Sequence, residues 1–410
     1  MSKLEQLIDG FCPQGVEYKT LGTLFEVKNG YTPSKANSEY WEHGTIPWLR
    51  MEDIRNNGRI LSSAIQHVTQ KAVKKGGLFP ANSLIMSTTA TIGEHALIMI
   101  DALTNQQMTC FSLKQDFYSK IIIKYVFYCF FPFGEWCKKN VNNGGSLPII
   151  GSEKLKSYKI PLPPLPVQRE IVRILDNFTE LTAELTAELT AELTARKKQY
   201  EYYRNELLTF GDDVPRVAMK DLSLSSSTGV TPLAGNSEFY DDGTIPWLRT
   251  QEVRFVDIWD TEMKVTDKAM DQTSLKWVPA NSVIVAISGA TAGRVGVNKI
   301  PLTTNQHCCC FEIDKTKASY RYVFHCLSNA NEDILNLKQG ARGDLNAGMM
   351  RRFEIPLPPL SEQERIVSIL DKFDALTTDI SIGLPAEIDA RQKQYEYYRD
   401  KLLTFKEAGA

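Results

Sequence analysis

At 410 residues, with 43% hydrophobic and 23% charged side chains, the chain has the balance of a protein that buries real cores, and its length predicts two or three domains. A formal net charge of −2 argues against a protein that coats nucleic acid through a strongly basic surface. The longest apolar stretch, Ile121 to Phe133, is too short to cross a bilayer and carries Lys124 and Pro132; with no basic-then-apolar leader and no CxxC among the eight cysteines, the chain is expected in the cytoplasm with reduced, buried thiols.

In chain order, the sequence is written twice. TIPWLR at 45–50 returns at 244–249 and PAN at 80–82 returns at 279–281, both displaced by 199 residues. TNQ recurs at 104 and 304, IPLPPL at 160 and 355, ILD at 174 and 369, and RKKQYEYYR at 196 returns as RQKQYEYYR at 391. Six ordered matches are an internal repeat, not chance. Charge is shared unequally, with 18 Lys/Arg against 13 Asp/Glu over residues 1–165 and 16 against 18 over residues 211–360.

Each copy opens with a mixed region containing short β-like runs such as SLIMST (83–88) and SVIVAIS (282–288), broken by Gly, Asn and Pro. A proline-rich hinge follows, then a helical tail ending in LLTF at 207–210 and 402–405. After the first LLTF, VAMKDL (217–222) echoes VEYKTL (16–21), which suggests a closed arrangement with the termini near each other. In the first tail Ile171, Ile174, Leu175, Phe178, Leu181, Leu185, Leu189 and Leu193 are read as one apolar stripe, with Pro166 in the first turn. From Pro166 to Thr209 such a helix would extend about 65 Å and needs a partner along its length. In the second tail Ser361 and Glu364 suggest a capping box, and Gly383 and Pro385 interrupt the helix.

The layout expected is α+β: homologous α/β globular domains over 1–160 and 211–355, separated by two long antiparallel helices over 161–210 and 356–410, in a pseudo-twofold internal repeat. TAEL occurs three times in tandem, at 182–185, 186–189 and 190–193. Four helical residues advance about 6 Å and turn about 400°, so each copy moves whatever follows by a small screw step. One reading makes the repeat a ruler built on Leu181, Leu185, Leu189 and Leu193; the other makes it a neutral helix-favouring spacer.

Signatures of catalysis are missing: there is no NPPY or DPPY, no GK dipeptide and so no Walker A loop, no Pro-Asp pair of a nuclease, and no HExxH. His307 with Cys308, Cys309 and Cys310 does not make a metal site, since consecutive strand residues point to alternate faces. No catalytic activity and no metal are expected.

In this order, TIPW followed by PAN, the IPLPPL hinge, ILD, tandem TAEL and QYEYYR, the whole chain resembles DNA specificity subunits of type I restriction-modification systems, of the subgroup with TAEL repeats in the central helix. The resemblance implies two target recognition domains, each reading one half of a split site in double-stranded DNA, with helices that dock two methylation subunits acting on adenine. Two restriction subunits with motor and nuclease activity then join. S-adenosylmethionine is implied on the methylation subunits, ATP and Mg on the restriction subunits, and no cofactor on this chain. The second tail departs from the pattern, lacking TAEL and carrying IGLPAE at 382–387, yet both copies keep a 20-residue step, Asp176 to Arg196 and Asp371 to Arg391. A competing reading is a protein-bridging module on a coiled-coil spacer.

Candidate DNA contacts fall on polar, glycine-rich loops in paired positions. They are Thr32, Ser34, Thr88, Thr91, Asn143 and Ser146 in the first copy, and Ser288, Thr291, Arg294, Gln339, Arg342 and Asn346 in the second. Arg50 and Arg249 either reach phosphate or form surface ion pairs, while Trp48 and Trp247 are read as core rather than base-stacking residues. Tyr200, Tyr202, Tyr203, Tyr395, Tyr397 and Tyr398 present two or more faces of each helix, part of the set being needed for internal packing and the remainder free for partners, with Tyr200, Tyr203, Tyr395 and Tyr398 taken as the candidate partner contacts.

Overall fold

The computed structural model describes residues 2–142, 148–337, 345–378 and 383–409. They divide into two compact units, Met1–Ala187 with Asp389–Ala410, and Glu188–Ile388. No helix among the described residues is long and apolar enough to cross a membrane.

In the first unit a five-stranded sheet runs Phe25–Asn29, Met108–Leu113, Ser83–Ser87, His95–Ile98 and Ile60–Leu61, antiparallel except for the last pair. Its middle strand reads SLIMS and is buried at every position, as a strand covered on both faces should be. One face is covered by the helix Ile123–Lys139, which holds most of the long apolar stretch. Tyr125, Phe130 and Phe133 of that helix are fully buried, and Phe130 meets Phe111 of the sheet edge-on with ring centroids 5.1 Å apart. A smaller sheet runs Gln66–Val68, Ile46–Leu49 and Leu103–Thr104, so TIPWLR supplies its central strand. Trp48 is 2% exposed and donates from Nε1 to the Tyr31 carbonyl at 3.1 Å, which makes it a core residue.

The second unit repeats both sheets strand for strand. Ser223–Thr228, Cys308–Ile313, Val283–Ala286, Val295–Asn298 and Asp257–Ile258 form the larger one, and Met263–Val265, Ile245–Leu248 and Thr303–Thr304 the smaller. Trp247 donates to the Val230 carbonyl as Trp48 does to that of Tyr31. Cys308 and Cys310 pack in one core cluster and Cys309 in another, the alternation a strand imposes; all eight cysteines are free and buried.

VEYKTL and VAMKDL fall in equivalent strand-to-helix segments. Glu17–Thr20 pairs antiparallel with Lys159–Leu162, and Arg216–Ala218 with Glu354–Pro356, each strand receiving a proline-rich hinge and leading into a one-turn helix, Leu21–Leu24 or Met219–Leu222. Thr20 therefore matches Ala218, and the echo is out of register by three residues, most of VAMKDL being helix. In the first unit the two ends of the chain also meet, Val16 donating to the Lys406 carbonyl and Ala408 to that of Val16, each at 2.9 Å.

The first tail is a single helix of 44 residues, Leu165–Leu208, continuous through the TAEL repeats. At about 1.5 Å per residue it is about 65 Å long. In the second tail the described residues form the helices Leu360–Thr378 and Leu384–Leu402; Gly383 is a bend just before the second, as expected, whereas Pro385 sits in its first turn and does not interrupt it. Both pairings are antiparallel: Phe178 meets Tyr398 and Thr179 meets Tyr395 in the first unit, while Tyr200 and Tyr203 stack on Phe373 in the second.

Two local expectations are corrected. The second tail becomes helical at Leu360, so Ser361 lies inside the first turn instead of capping it. The leucines do not form one packed stripe either. Leu175 is fully buried, but Leu181 is 60% and Leu185 36% exposed. A strict four-residue spacing overshoots the helical period by about 40° per repeat, so the row winds off the packing face.

Candidate nucleic-acid interface

Three loops gather at one end of the larger sheet in the first unit. The backbone N–H of Thr88 donates to the Gln107 carbonyl at 2.9 Å, Ile150 donates to the Thr88 carbonyl at 3.2 Å, and Ile149 bridges both Thr89 and Asn142. The Thr88 hydroxyl is buried and lies 3.3 Å from that of Thr109, which donates to Asn29 at 2.8 Å. Thr88 therefore holds the loop in place. Thr91 is half-buried and caps the same turn through the Ser87 hydroxyl at 3.2 Å, with Ala90 in the left-handed region at φ 60°. Gly93 is required beneath it, because a Cβ there would lie 2.6 Å from the Gly134 carbonyl oxygen.

The third loop is tied in through the repeated TNQ. Tyr31 donates to the Thr104 carbonyl at 2.8 Å and the Thr32 hydroxyl donates to the Gln106 side chain; Val230 with Thr304, and Thr231 with Gln306, do the same in the second unit. Gly30 and Gly229 allow this close approach, since a Cβ would come within 2.0 Å of Thr104 and 1.8 Å of Thr304. Ser34 stays exposed, its carbonyl accepting from Trp41 Nε1 at 3.0 Å.

In the second unit the Ser288–Arg294 loop is half-buried at Ser288, Thr291 and Arg294, and Ile287 donates to the His307 carbonyl at 2.9 Å. Asn346 caps the helix Ala347–Arg352 by accepting from Met349 N–H at 3.0 Å. Asn143, Ser146, Gln339 and Arg342 lie outside the described residues.

Arg50 and Arg249 are engaged within the protein. Arg50 pairs with Glu52 at 2.6 Å above the Trp48 ring, and Arg249 with Glu262 at 2.8 Å. Arg294 differs. It stands where the first unit has Glu94, which pairs with Arg59 at 2.5 Å, and the position matching Arg59 is Val256. Among the described residues the Arg294 guanidinium has no hydrogen bond or ion pair, so a cation is left at the rim of the loop cluster.

Beside the candidate segment Thr32 to Lys35 stand two further basic residues that the sequence did not single out, Lys74 and Lys75. Lys74 Nζ lies 4.3 Å above the Tyr31 ring, and Lys35 and Lys75 are exposed without side-chain partners among the described residues. Their second-unit counterparts are Ala234, Asp271 and Gln272. The signal was the charge excess of residues 1–165, which had not been traced to a loop.

The tyrosines divide by helical face. Tyr200 and Tyr203 lie on Phe373, the Tyr395 hydroxyl is 2.9 Å from that of Thr179, and Tyr398 meets Phe178. Tyr202 and Tyr397, between them in sequence, are 60% and 62% exposed.

The chain thus repeats one arrangement twice, a larger and a smaller sheet with polar loops at one end of the larger one and a tail helix packed alongside. The sequence model of the type I restriction modification DNA specificity domain matches twice, over residues 13–195 and 212–390. The type I restriction enzyme EcoprrI specificity subunit of Escherichia coli is 38% identical over 392 residues, covering 93% of this chain and 92% of that protein. The EcoR124I/EcoR124II specificity subunit, also from Escherichia coli, is 37% identical over 269 residues, 62% of this chain and 65% of that one. Among solved structures, a chain of a type I R-M system superposes with a TM-score of 0.69 at 14% identity over 95% of this chain and 98% of its own, and the HsdS subunit of Thermoanaerobacter tengcongensis with 0.54 at 13% identity over 96% and 97%. The chain belongs to the family of type I restriction-modification DNA specificity subunits, non-catalytic components that recognise DNA.

Proposed function

We propose that each unit reads one half of a bipartite site in double-stranded DNA, and that the long helix fixes the gap between the halves. The observation that carries this reading is the pairing of identical sheet topologies, each with its loops gathered at one end, on one uninterrupted helix of 44 residues. Arg294 and the loop residues Ser34, Thr91, Ser288 and Thr291 contact base edges or phosphates. Lys35, Lys74 and Lys75 grip the phosphate backbone on the first half-site only.

The helices dock two methylation subunits, which transfer methyl groups from S-adenosylmethionine to adenine. Tyr202 and Tyr397 offer the outward aromatic contacts, with the exposed edges of Tyr203 and Tyr398 beside them. Two restriction subunits using ATP and Mg complete the assembly.

Coexpression with the methylation subunit tests the reading. The expected result is a stable complex that modifies DNA at a two-part site. A chain that purifies without methylation subunits and shows no site-dependent DNA binding would refute it and favour a protein-bridging role.

A further inference from the structure

The repeated ILD motif and the glutamine before it remain unexplained by DNA contact, and both lead to the same place in each unit. In the first unit Gln168 is fully buried, accepts from the Ile122 N–H at 2.9 Å and donates to the carbonyls of Pro163 at 2.7 Å and Lys120 at 3.0 Å. In the second, Gln363 is also fully buried, accepts from the Ser319 N–H at 2.9 Å and donates to Pro358 at 2.9 Å and Lys317 at 3.3 Å. Each glutamine ties the start of the helix packed on the sheet, Ile123–Lys139 or Tyr320–Asn329, to the tail helix.

About two turns further on, the aspartate of ILD makes a second tie. Asp176 receives Lys124 Nζ at 2.8 Å and the Tyr128 hydroxyl at 2.6 Å. Asp371 receives Arg321 at 2.6 Å and lies 2.7 Å from His325 Nε2. Arg321 is only 12% exposed and also pairs with Asp257 on the sheet edge at 2.8 Å and Asp374 at 3.4 Å. His325 is fully buried, with Nδ1 at 3.5 Å from the Tyr200 hydroxyl of the long helix, and Arg204 of that helix donates to Asn329 at 3.0 Å. Although burial pushes the Asp371 carboxyl up, the hydrogen bonds from His325 and Arg321 outweigh it and hold the group below its ordinary value.

Two ties on one helix fix both the position and the rotation of whatever they hold. Apolar packing supplies most of the adhesion but little direction, whereas charged hydrogen bonds are sharply directional. We infer that Asp176 and Asp371, with Gln168 and Gln363 upstream, are positioning residues that lock each DNA reader to its tail helix, so that the tolerance for half-site spacing is set at these latches as well as by helix length. Lysine with tyrosine and arginine with histidine are two chemical versions of one latch. The inference rests on the bipartite-reader proposal above.

The test uses the complete complex with methylation subunits and a DNA series in which both half-sites are intact and the gap is shortened or lengthened by one base pair. Methylation on each DNA gives a spacing preference. Asp371→Asn and Asp176→Asn are each expected to lower the preference for the native gap by about tenfold, corresponding to the loss of one hydrogen bond to a charged group. Val285→Ala, a buried strand change away from the latch, lowers the melting temperature but leaves the preference intact. The double variant R321K/H325Y transplants the first unit's chemistry into the second and is expected to retain the preference. Loss of activity by the Asp371→Asn and Asp176→Asn complexes in equal proportion on all gaps, or loss of the preference in the transplant with unchanged melting, overturns the inference. A wild-type complex indifferent to the gap would instead defeat the bipartite reading itself.

Discussion

Removing one TAEL tetrapeptide from the long helix shortens it by four residues and one glutamate while leaving two copies of the repeat in place. The loss is about 6 Å of rise and about 400° of turn, a net rotation of about 40°. One base pair of B-DNA is about 3.4 Å and about 34–36°. Rotation therefore matches about one base pair and translation slightly under two. Rotation is the stricter demand, because a reader turned away from its groove loses its base contacts, whereas an axial mismatch of about 3 Å is met by modest DNA bending that costs about 1–6 kcal/mol. The expected outcome is a gap shorter by about one base pair with both half-sites unchanged, read by mapping modified bases in DNA from cells carrying the variant complex. Deleting a single residue, Ala187, is the informative contrast: it changes rise by about 1.5 Å but rotation by about 100°, and no gap satisfies both, so modification should fail on every spacing. An unchanged gap after TAEL deletion, or full activity after the one-residue deletion, refutes the ruler.

Exchanging Lys35, Lys74 and Lys75 for their second-unit counterparts (K35A/K74D/K75Q) should weaken DNA binding and make the slope of log K against log salt shallower by about two to three, measured by titration at several salt concentrations. Arg294→Ala should cost about 1–3 kcal/mol on DNA carrying the second half-site and little on DNA in which that half-site is scrambled; equal losses on both would place Arg294 outside the reading surface. Tyr202→Ala and Tyr397→Ala should weaken association with methylation subunits at unchanged melting temperature, whereas Tyr200→Ala, which removes packing on Phe373, should destabilise the chain by about 2–4 kcal/mol; the reverse pattern would move the docking face.

Much of the fold was legible because the repeat is. SLIMST, SVIVAIS and the bend at Gly383 appear where pattern put them, and Trp48 and Trp247 are core as read, since each depends on local periodicity, glycine or burial tendency. The leucines of TAEL misled because a row at four-residue spacing resembles a stripe over two repeats and winds away over three. Tyr200 and Tyr202 illustrate the limit for exposure: two residues apart on a helix they face different ways, and only the position of Phe373 decides which is packed. Thr88 shows the limit for loops, its hydroxyl directed inward to Thr109 by strand pairing. The latches were not legible at all, since Arg321 and Asp371 are separated by 50 residues and the motif names only one partner.

The most direct measurement is a map of modified bases on DNA treated with the purified chain plus its methylation subunit. Two short conserved sequences, separated by a constant stretch of arbitrary composition and each altered by substitutions in only one of the two units, are expected. A single contiguous recognition sequence, or one in which changes in either unit alter both parts, would contradict the reading of this chain as two independent readers on one spacer.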